Sequence, residues 1–349
     1  MPVKSARTKT QTRLTTSTLL SIYKIMIRTR LMDQKMLIML KQGKSYFHIG
    51  SSGHEAVQIA FAYAMQPGYD WAFPYYRDLA FVLQYGVSPY DIFLNFLARI
   101  DDPSSGGRQI SNHYGSRKKR IVTQSSSTGT QFLQAVGCAL GAVKEGKDEV
   151  VYVSSGEGTT AQGDFHEALN WAARDKLPVI FLIQNNKYAI SVPVSNQLAG
   201  GSIYKIGSGY QGLNCFKVDG TDFFKSHDIA RKAVELARTG KGPSLIEAET
   251  IRLLPHSSSD SQAKYRSKEE LENDKTRDPL PAFESFLINK KIKSGDELDF
   301  IRQKIKEEID KAAEDAEKIA HPLPDSVTDF VFAPGQKITE THPYIPYCI

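Results

Sequence analysis

Two stretches, VVYVSSGEG at residues 150–158 and VIFLIQNNKY at residues 179–188, decide how this chain folds. Each opens with a continuous apolar run and closes in polar and glycine residues. Runs apolar at every position, rather than at alternate ones, fit strands buried on both faces of a parallel sheet. Between them, Gly163 to Arg174 places Phe165, Ala168, Leu169 and Ala172 at helical spacing. The segment therefore predicts a strand, a right-handed crossover helix and a second parallel strand. In such a sheet ligands bind just beyond the carboxyl ends of the strands, so Ser154–Gly158 and Gln184–Asn186 should open on one edge.

The same rhythm extends outward. Gln131 to Val143 reads as a helix of small residues, Phe216 to Val218 and Leu245 to Ile251 as further strands, and Asp228 to Thr239 as a helix. Upstream, Leu19, Ile22 and Met26 mark a helix from Ser17, with Gly43 as its stop. Residues 44–80 read as loop-rich, Pro89 to Arg99 as a short helix, and Asp101 to Arg120 as a long polar loop. A charged amphipathic helix over 297–320 stops before Pro322. The fold class is α/β, a mostly parallel sheet with helices on both faces. A basic arm, 1–16, should precede a single domain over 17–349.

Composition narrows the function. The 349 residues are 41% hydrophobic, enough for a sizeable core, and the net charge of +5 does not call for a nucleic-acid partner. The basic cluster Arg117–Arg120, with Arg108 nearby, reads first as a solvated loop and second as a phosphate-steering patch. Three cysteines, Cys138, Cys215 and Cys348, are far apart and lack CxxC spacing, which fits a reducing compartment. No apolar run reaches membrane-spanning length. The first acidic residue is Asp33, so the basic, Ser/Thr-rich start resembles a transit peptide as well as a plain arm. A bacterial cytoplasm is the expected compartment, with the mitochondrial matrix as the alternative.

Chemistry concentrates at the two strand ends. Glu157 offers a carboxylate, Asn186 a side-chain carbonyl, and Tyr188 a backbone carbonyl one turn on. Magnesium takes hard oxygen ligands and completes its shell with phosphate and water. Gly156 and Gly158 let the backbone approach a diphosphate. Rival motifs fail: residue 161 is Ala where G-x-G-x-x-G needs Gly, which excludes a nicotinamide-type fingerprint, and Asp164 stands where a P-loop needs Lys. His48, His54 and Glu55 do not make HExxH.

Gly156-Glu157-Gly158 followed by Asn185-Asn186 resembles the thiamin diphosphate motif. Gly163-Asp164-Phe165-His166-Glu167-Ala168-Leu169-Asn170 and Asn185-Asn186-Lys187-Tyr188-Ala189-Ile190-Ser191 resemble the α subunits of 2-oxo acid dehydrogenase E1 components, over nearly the whole chain after the arm. The resemblance implies the thiamin diphosphate-binding fold, with magnesium on Glu157, Asn186 and the Tyr188 carbonyl. It implies cofactor contacts at Tyr76, Arg77, Ser126, Gly158 and Thr159. It also implies one at Gln184, where branched-chain relatives carry an Arg. His256, in Arg252-Leu253-Leu254-Pro255-His256-Ser257-Ser258-Ser259-Asp260, matches a catalytic, cofactor-contacting histidine able to donate a proton near neutral pH and to stabilise negative charge. Arg252, Asp260, Tyr265 and Arg266 would order its loop. Some relatives bind potassium around Ser125, Ser127, Thr130 and Gln131, with Pro where Ser127 stands. Ser257 matches a serine phosphorylated in some relatives. His48 reads as a pocket or packed loop residue, His113 as a neighbour of the cofactor loop, and His166 as structural.

The activity implied is oxidative decarboxylation of a 2-oxo acid, branched-chain slightly favoured over pyruvate or acetoin, with acyl transfer to the lipoyl group of an E2 partner. An α2β2 assembly with an E1 β subunit completes the site, with neither nucleic acid nor membrane involved. A scaffold that has lost catalysis is the alternative of another class. The retained Glu157, Asn186, Arg77 and His256 argue against it.

Overall fold

The computed structural model describes residues 14–331. The body of the arm and the last 18 residues of the expected domain lie outside them. Among the described residues, seven strands occur in chain order: β1 (Trp71–Phe73), β2 (Val151–Gly156), β3 (Val179–Asn185), β4 (Tyr188–Ala189), β5 (Val192–Pro193), β6 (Asn214–Asp219) and β7 (Ser244–Glu249). β4 and β5 form a small antiparallel hairpin. The other five make one sheet in the order β1-β2-β3-β7-β6, parallel throughout. Val151 lies opposite Val179, and Gly156 opposite Gln184. The α/β class and the shared edge of the two opening stretches are as the sequence predicts.

Along the central strands β2, β3 and β7 the sheet is buried on both faces. Tyr152, Ile180, Leu182, Ile246 and Ala248 point into one core, covered by α1 (Thr16–Lys41), α2 (Glu55–Ala64) and the helix Phe223–Arg238. Val151, Val153, Val179, Phe181, Ile183 and Leu245 point into the other, under the helices Thr130–Lys144 and Gly163–Asp175. Alternate residues of a strand face opposite sides, so two cores require apolar residues at every position. Each such side chain contributes ~1.5–3 kcal/mol by leaving water. At the chain's start, Thr15 caps α1 by accepting from the Thr18 amide at 3.2 Å, and Gly43 ends it with a φ of 72°.

Three elements lie in or begin within the loop-rich stretch 44–80 that the sequence does not announce: α2, β1 and the short helix Leu79–Gln84. Every residue from Glu55 to Ala62 is buried, Glu55 and Gln58 included, so no polar face marks the helical period. β1 is three residues long, too short to carry a strand pattern. The helix read from Asp228 begins at Phe223, because Asp222 accepts from the Phe224 and Lys225 amides at 2.9 and 3.1 Å. The polar stretch Asp101–Arg120 contains no helix, and buried Asp102 gathers the Ser104 and Ser105 amides at 3.0 and 3.1 Å.

Candidate active site

β2 ends at Gly156 and turns at once into a single 3-10 stretch, Glu157–Ala161. β3 ends at Asn185 and turns through Asn186 and Lys187 into the hairpin. Glu157 is 1% exposed. One of its carboxylate oxygens accepts from the Asn186 amide at 3.2 Å; the other is buried without a partner. Burial holds this carboxyl above the usual range. Asn186 shapes the turn by accepting from the Tyr188 amide at 3.3 Å. Lys187 and Ile190 take φ of 74° and 56°. The left-handed region is unusual for any side chain and costly for a β-branched one, so this hairpin stores strain. Arg252 restrains it, donating to the Ile190 carbonyl at 2.9 Å and approaching the Tyr188 carbonyl at 3.5 Å.

These turns line a cavity of about 260 Å³ together with Tyr75, Tyr76, Arg77, Thr128, Gly158, Thr159 and His256. Gly158 is required here, because a Cβ would come 2.7 Å from the Ala189 Cβ. We expect Gly158→Ala to push the hairpin off the cavity wall and cost ~1–3 kcal/mol by overpacking. A chemical denaturation midpoint equal to wild type would overturn that expectation.

Arg77 is also 1% exposed. It donates to the Gly50 carbonyl at 2.5 Å and the His256 carbonyl at 3.2 Å, and stands 3.4 Å from His256 Nδ1. Burial, then the positive charges of Arg77 and Arg252, lower the His256 pKa to about 4. Of the two roles the sequence suggests for this histidine, proton donation and stabilisation of negative charge, a lowered pKa favours the second. At pH 7 the ring is neutral and offers an N–H hydrogen bond instead. The residues expected to order its loop do come together. Asp260 accepts from the His256 amide at 2.8 Å and from Tyr265 Oη at 2.5 Å, and Arg252 donates to Tyr265 Oη at 2.6 Å. Arg266 donates to the Arg252 carbonyl at 3.2 Å and pairs with Asp274 at 2.5 Å.

Gln184 and Ser126 do not line this cavity. Gln184 is fully buried beneath the cavity floor. Its Oε1 accepts from Gln58 Nε2 at 2.9 Å and lies 2.8 Å from His54 Nδ1; its Nε2 donates to Asp78 at 2.6 Å. Asp78 further accepts from Tyr152 Oη at 3.1 Å and from Ser154 Oγ. Without a cation of its own, Asp78 is pushed by burial up to about 7. His54 is pushed by burial, and then by Arg77, down to about 3. Sequence reasoning missed this network. Its one signal was the polar residues His54, Glu55 and Gln58 at the head of an apolar run. Ser126 opens instead on a neighbouring cavity of about 180 Å³ with Phe47, Ile49, Ile110 and His113, and its Oγ lies 2.9 Å from His113 Nε2. Tyr75, Tyr76 and Thr128 form the wall common to both cavities.

Ser125 Oγ lies 2.7 Å from Thr130 Oγ1 and donates to the Ser127 carbonyl at 2.8 Å, while Gln131 Nε2 donates to the Ser154 carbonyl at 3.3 Å. His48 is a packed loop residue, its Nε2 3.3 Å from Asp33. His166 Nδ1 lies 3.2 Å from Tyr210 Oη. Arg120 pairs with Glu149 at 2.7 Å, and the Lys119 carbonyl accepts from Gly68 before β1. The basic cluster thus sits at the amino ends of the strands, opposite the cavity, which favours the solvated-loop reading.

Residues 23–325 match the model of the family described as dehydrogenase E1 component. The chain is 40% identical over 320 residues to the 2-oxoisovalerate dehydrogenase subunit alpha of Bacillus subtilis (strain 168), covering 92% of this chain and 97% of that protein. It is 37% identical over 270 residues to the 3-methyl-2-oxobutanoate dehydrogenase subunit alpha of Mycobacterium tuberculosis (strain ATCC 25618 / H37Rv), covering 77% and 70%. It is 35% identical over 308 residues to the pyruvate dehydrogenase E1 component subunit alpha of Bacillus subtilis (strain 168), covering 87% and 79%.

Proposed function

The chain belongs to the dehydrogenase E1 component family, and from that premise we propose that it is the α subunit of a thiamin diphosphate-dependent enzyme that decarboxylates a branched-chain 2-oxo acid and passes the acyl group to a lipoyl-bearing E2. The observation that carries the site reading is the unpartnered, buried oxygen of Glu157 at the edge of the cavity. An uncompensated buried carboxylate oxygen is costly, and a divalent cation is the natural partner. The donor set fits: Glu157, the Asn186 side-chain carbonyl and the Tyr188 carbonyl would hold magnesium. Arg77, Gly158 and Thr159 would hold the diphosphate, with Tyr76 and Ser126 along the rest of the cofactor. Gln184 serves from beneath, by holding Asp78. Potassium has weaker support, because Ser125 and Thr130 already satisfy each other.

Thiamin diphosphate, when bound, supplies a thiazolium that accepts the electrons released as carbon dioxide leaves. This chain's residues orient and shield that chemistry. The Arg77 guanidinium offers a fork suited to phosphate oxygens. Neutral His256 offers an N–H to developing negative charge. Phe47, Ile49 and Ile110 make the neighbouring cavity apolar, which suits an aliphatic side chain. The two relatives named for branched-chain acids support the same choice.

Around the mouth, Ile110, Ile190 and Val192 are about half exposed. An apolar rim on an open polar cleft supports a covering partner, the E1 β subunit of an α2β2 assembly. No described helix is long and apolar enough to cross a membrane. Bacterial relatives and free Cys138 and Cys215 support a cytoplasmic setting. The test is co-expression with a β subunit and assay on 3-methyl-2-oxobutanoate, pyruvate and acetoin. We expect the highest kcat/KM on the branched acid and no turnover by the isolated chain. Preference for pyruvate, the activity named for the third relative, would overturn the substrate assignment. Turnover without β would overturn the assembly.

A further inference from the structure

β7 carries an acid where its alternation calls for a core residue. Glu247 faces the same side as Leu245 and is 1% exposed. A buried carboxylate persists only where hydrogen bonds replace its water. Those of Glu247 all come from neutral donors, and they reach two different segments. Oε1 accepts from Asn185 Nδ2 at 2.8 Å. Oε2 accepts from Ser202 Oγ at 2.9 Å and from the Tyr204 amide at 2.8 Å.

Each segment leads to the cavity. Asn185, with its amide nitrogen held by Glu247, turns its Oδ1 to the Lys187 amide at 2.9 Å. That bond stabilises the left-handed Lys187 and so sets the turn between Asn186 and Tyr188. On the other side, the segment 194–207 reaches back from its anchor at Ser202 to the cavity wall, where Gln197 donates to the Gly158 carbonyl. One carboxylate thus fixes the turn and the segment beside it in a common register.

We propose that Glu247, which lines no part of the cavity, is a positioning residue that holds the Asn186–Tyr188 turn and ties segment 194–207 to it. The inference rests on reading that turn as the metal site. Residues that orient metal ligands typically control affinity by 10–100-fold without touching the ion.

The test uses the full chain assembled with its β subunit. Magnesium is titrated at saturating thiamin diphosphate, followed by intrinsic fluorescence, and cleavage within 194–207 is timed under limited proteolysis. Glu247→Gln keeps the shape but faces the Tyr204 amide or Asn185 with an amide of its own. It should raise the magnesium concentration at half-saturation by about ten-fold or more and speed cleavage. Asn185→Ala should shift magnesium alone, and Ser202→Ala cleavage alone. Wild-type behaviour of Glu247→Gln in both readouts overturns the proposal. Where that variant does not assemble, wild-type behaviour of both Asn185→Ala and Ser202→Ala overturns it equally. Glu157→Ala separates the two claims. Magnesium dependence that survives it removes the metal reading itself. Dependence lost there but untouched in Glu247→Gln removes only the positioning role.

Discussion

Glu157→Ala is expected to lower turnover of the assembled enzyme by more than about 100-fold, since even residues that merely orient metal ligands are worth 10–100-fold. The loss should come with failure to retain thiamin diphosphate on gel filtration, while the fold persists. Removing this side chain relieves a buried, half-satisfied carboxylate. The melting temperature of the cofactor-free variant should therefore equal or exceed that of the wild type. Loss of activity together with a large fall in cofactor-free stability would point to a structural role and overturn the ligand assignment. Glu157→Gln keeps an oxygen but not the charge, and should fall between the two.

His256→Ala should reduce turnover by about 10²–10⁴-fold with little change in cofactor retention, because the ring approaches the cavity from the Tyr76 side while Arg77 is held independently by Gly50. The neutral ring makes a sharper claim. With its pKa lowered to about 4, His256 gives no limb near 6.5 in the pH profile of kcat/KM. His256→Asn, a neutral N–H donor, should recover part of the loss; a requirement for imidazolium predicts no recovery. Stability carries the same sign. Between about 4 and the ordinary 6.5 the unfolded chain binds a proton at this position that the folded chain refuses. That contribution costs stability as pH falls through the window. The alanine variant should melt less steeply with acid there. An equal slope would overturn the assigned charge state.

The parts of this fold legible in the sequence are those whose cause is local. β2 and β3 announce themselves because burial on both faces demands apolar residues in unbroken runs. Their polar ends announce the cleft because strands in a parallel sheet share a direction. What stayed hidden has causes far apart in the chain. Gln184 stands at the carboxyl end of β3, but strand alternation turns its side chain with Ile180 and Leu182 toward α2, away from the cavity. The acceptor network beneath the floor joins residues 54, 58, 78 and 184, and no spacing rule reaches across such gaps. The charge state of His256 depends on its burial, and then on an arginine 179 positions earlier. α2 was hidden for the opposite reason, since a helix buried all round has no second face to contrast with the first.

The left-handed Ile190 bears on how such an enzyme can be made hardier. A β-branched residue at a φ of 56° is the sort of position that a search for thermostable variants corrects first, and glycine there would relieve ~1–3 kcal/mol of backbone strain. Yet Arg252 grips the carbonyl of that same residue, and the hairpin it closes forms one wall of the cavity. A glycine hairpin would be free to sample many shapes in place of one. Heat resistance and catalytic competence are thus set against each other at this single peptide unit, and selection for the first alone would erode the second.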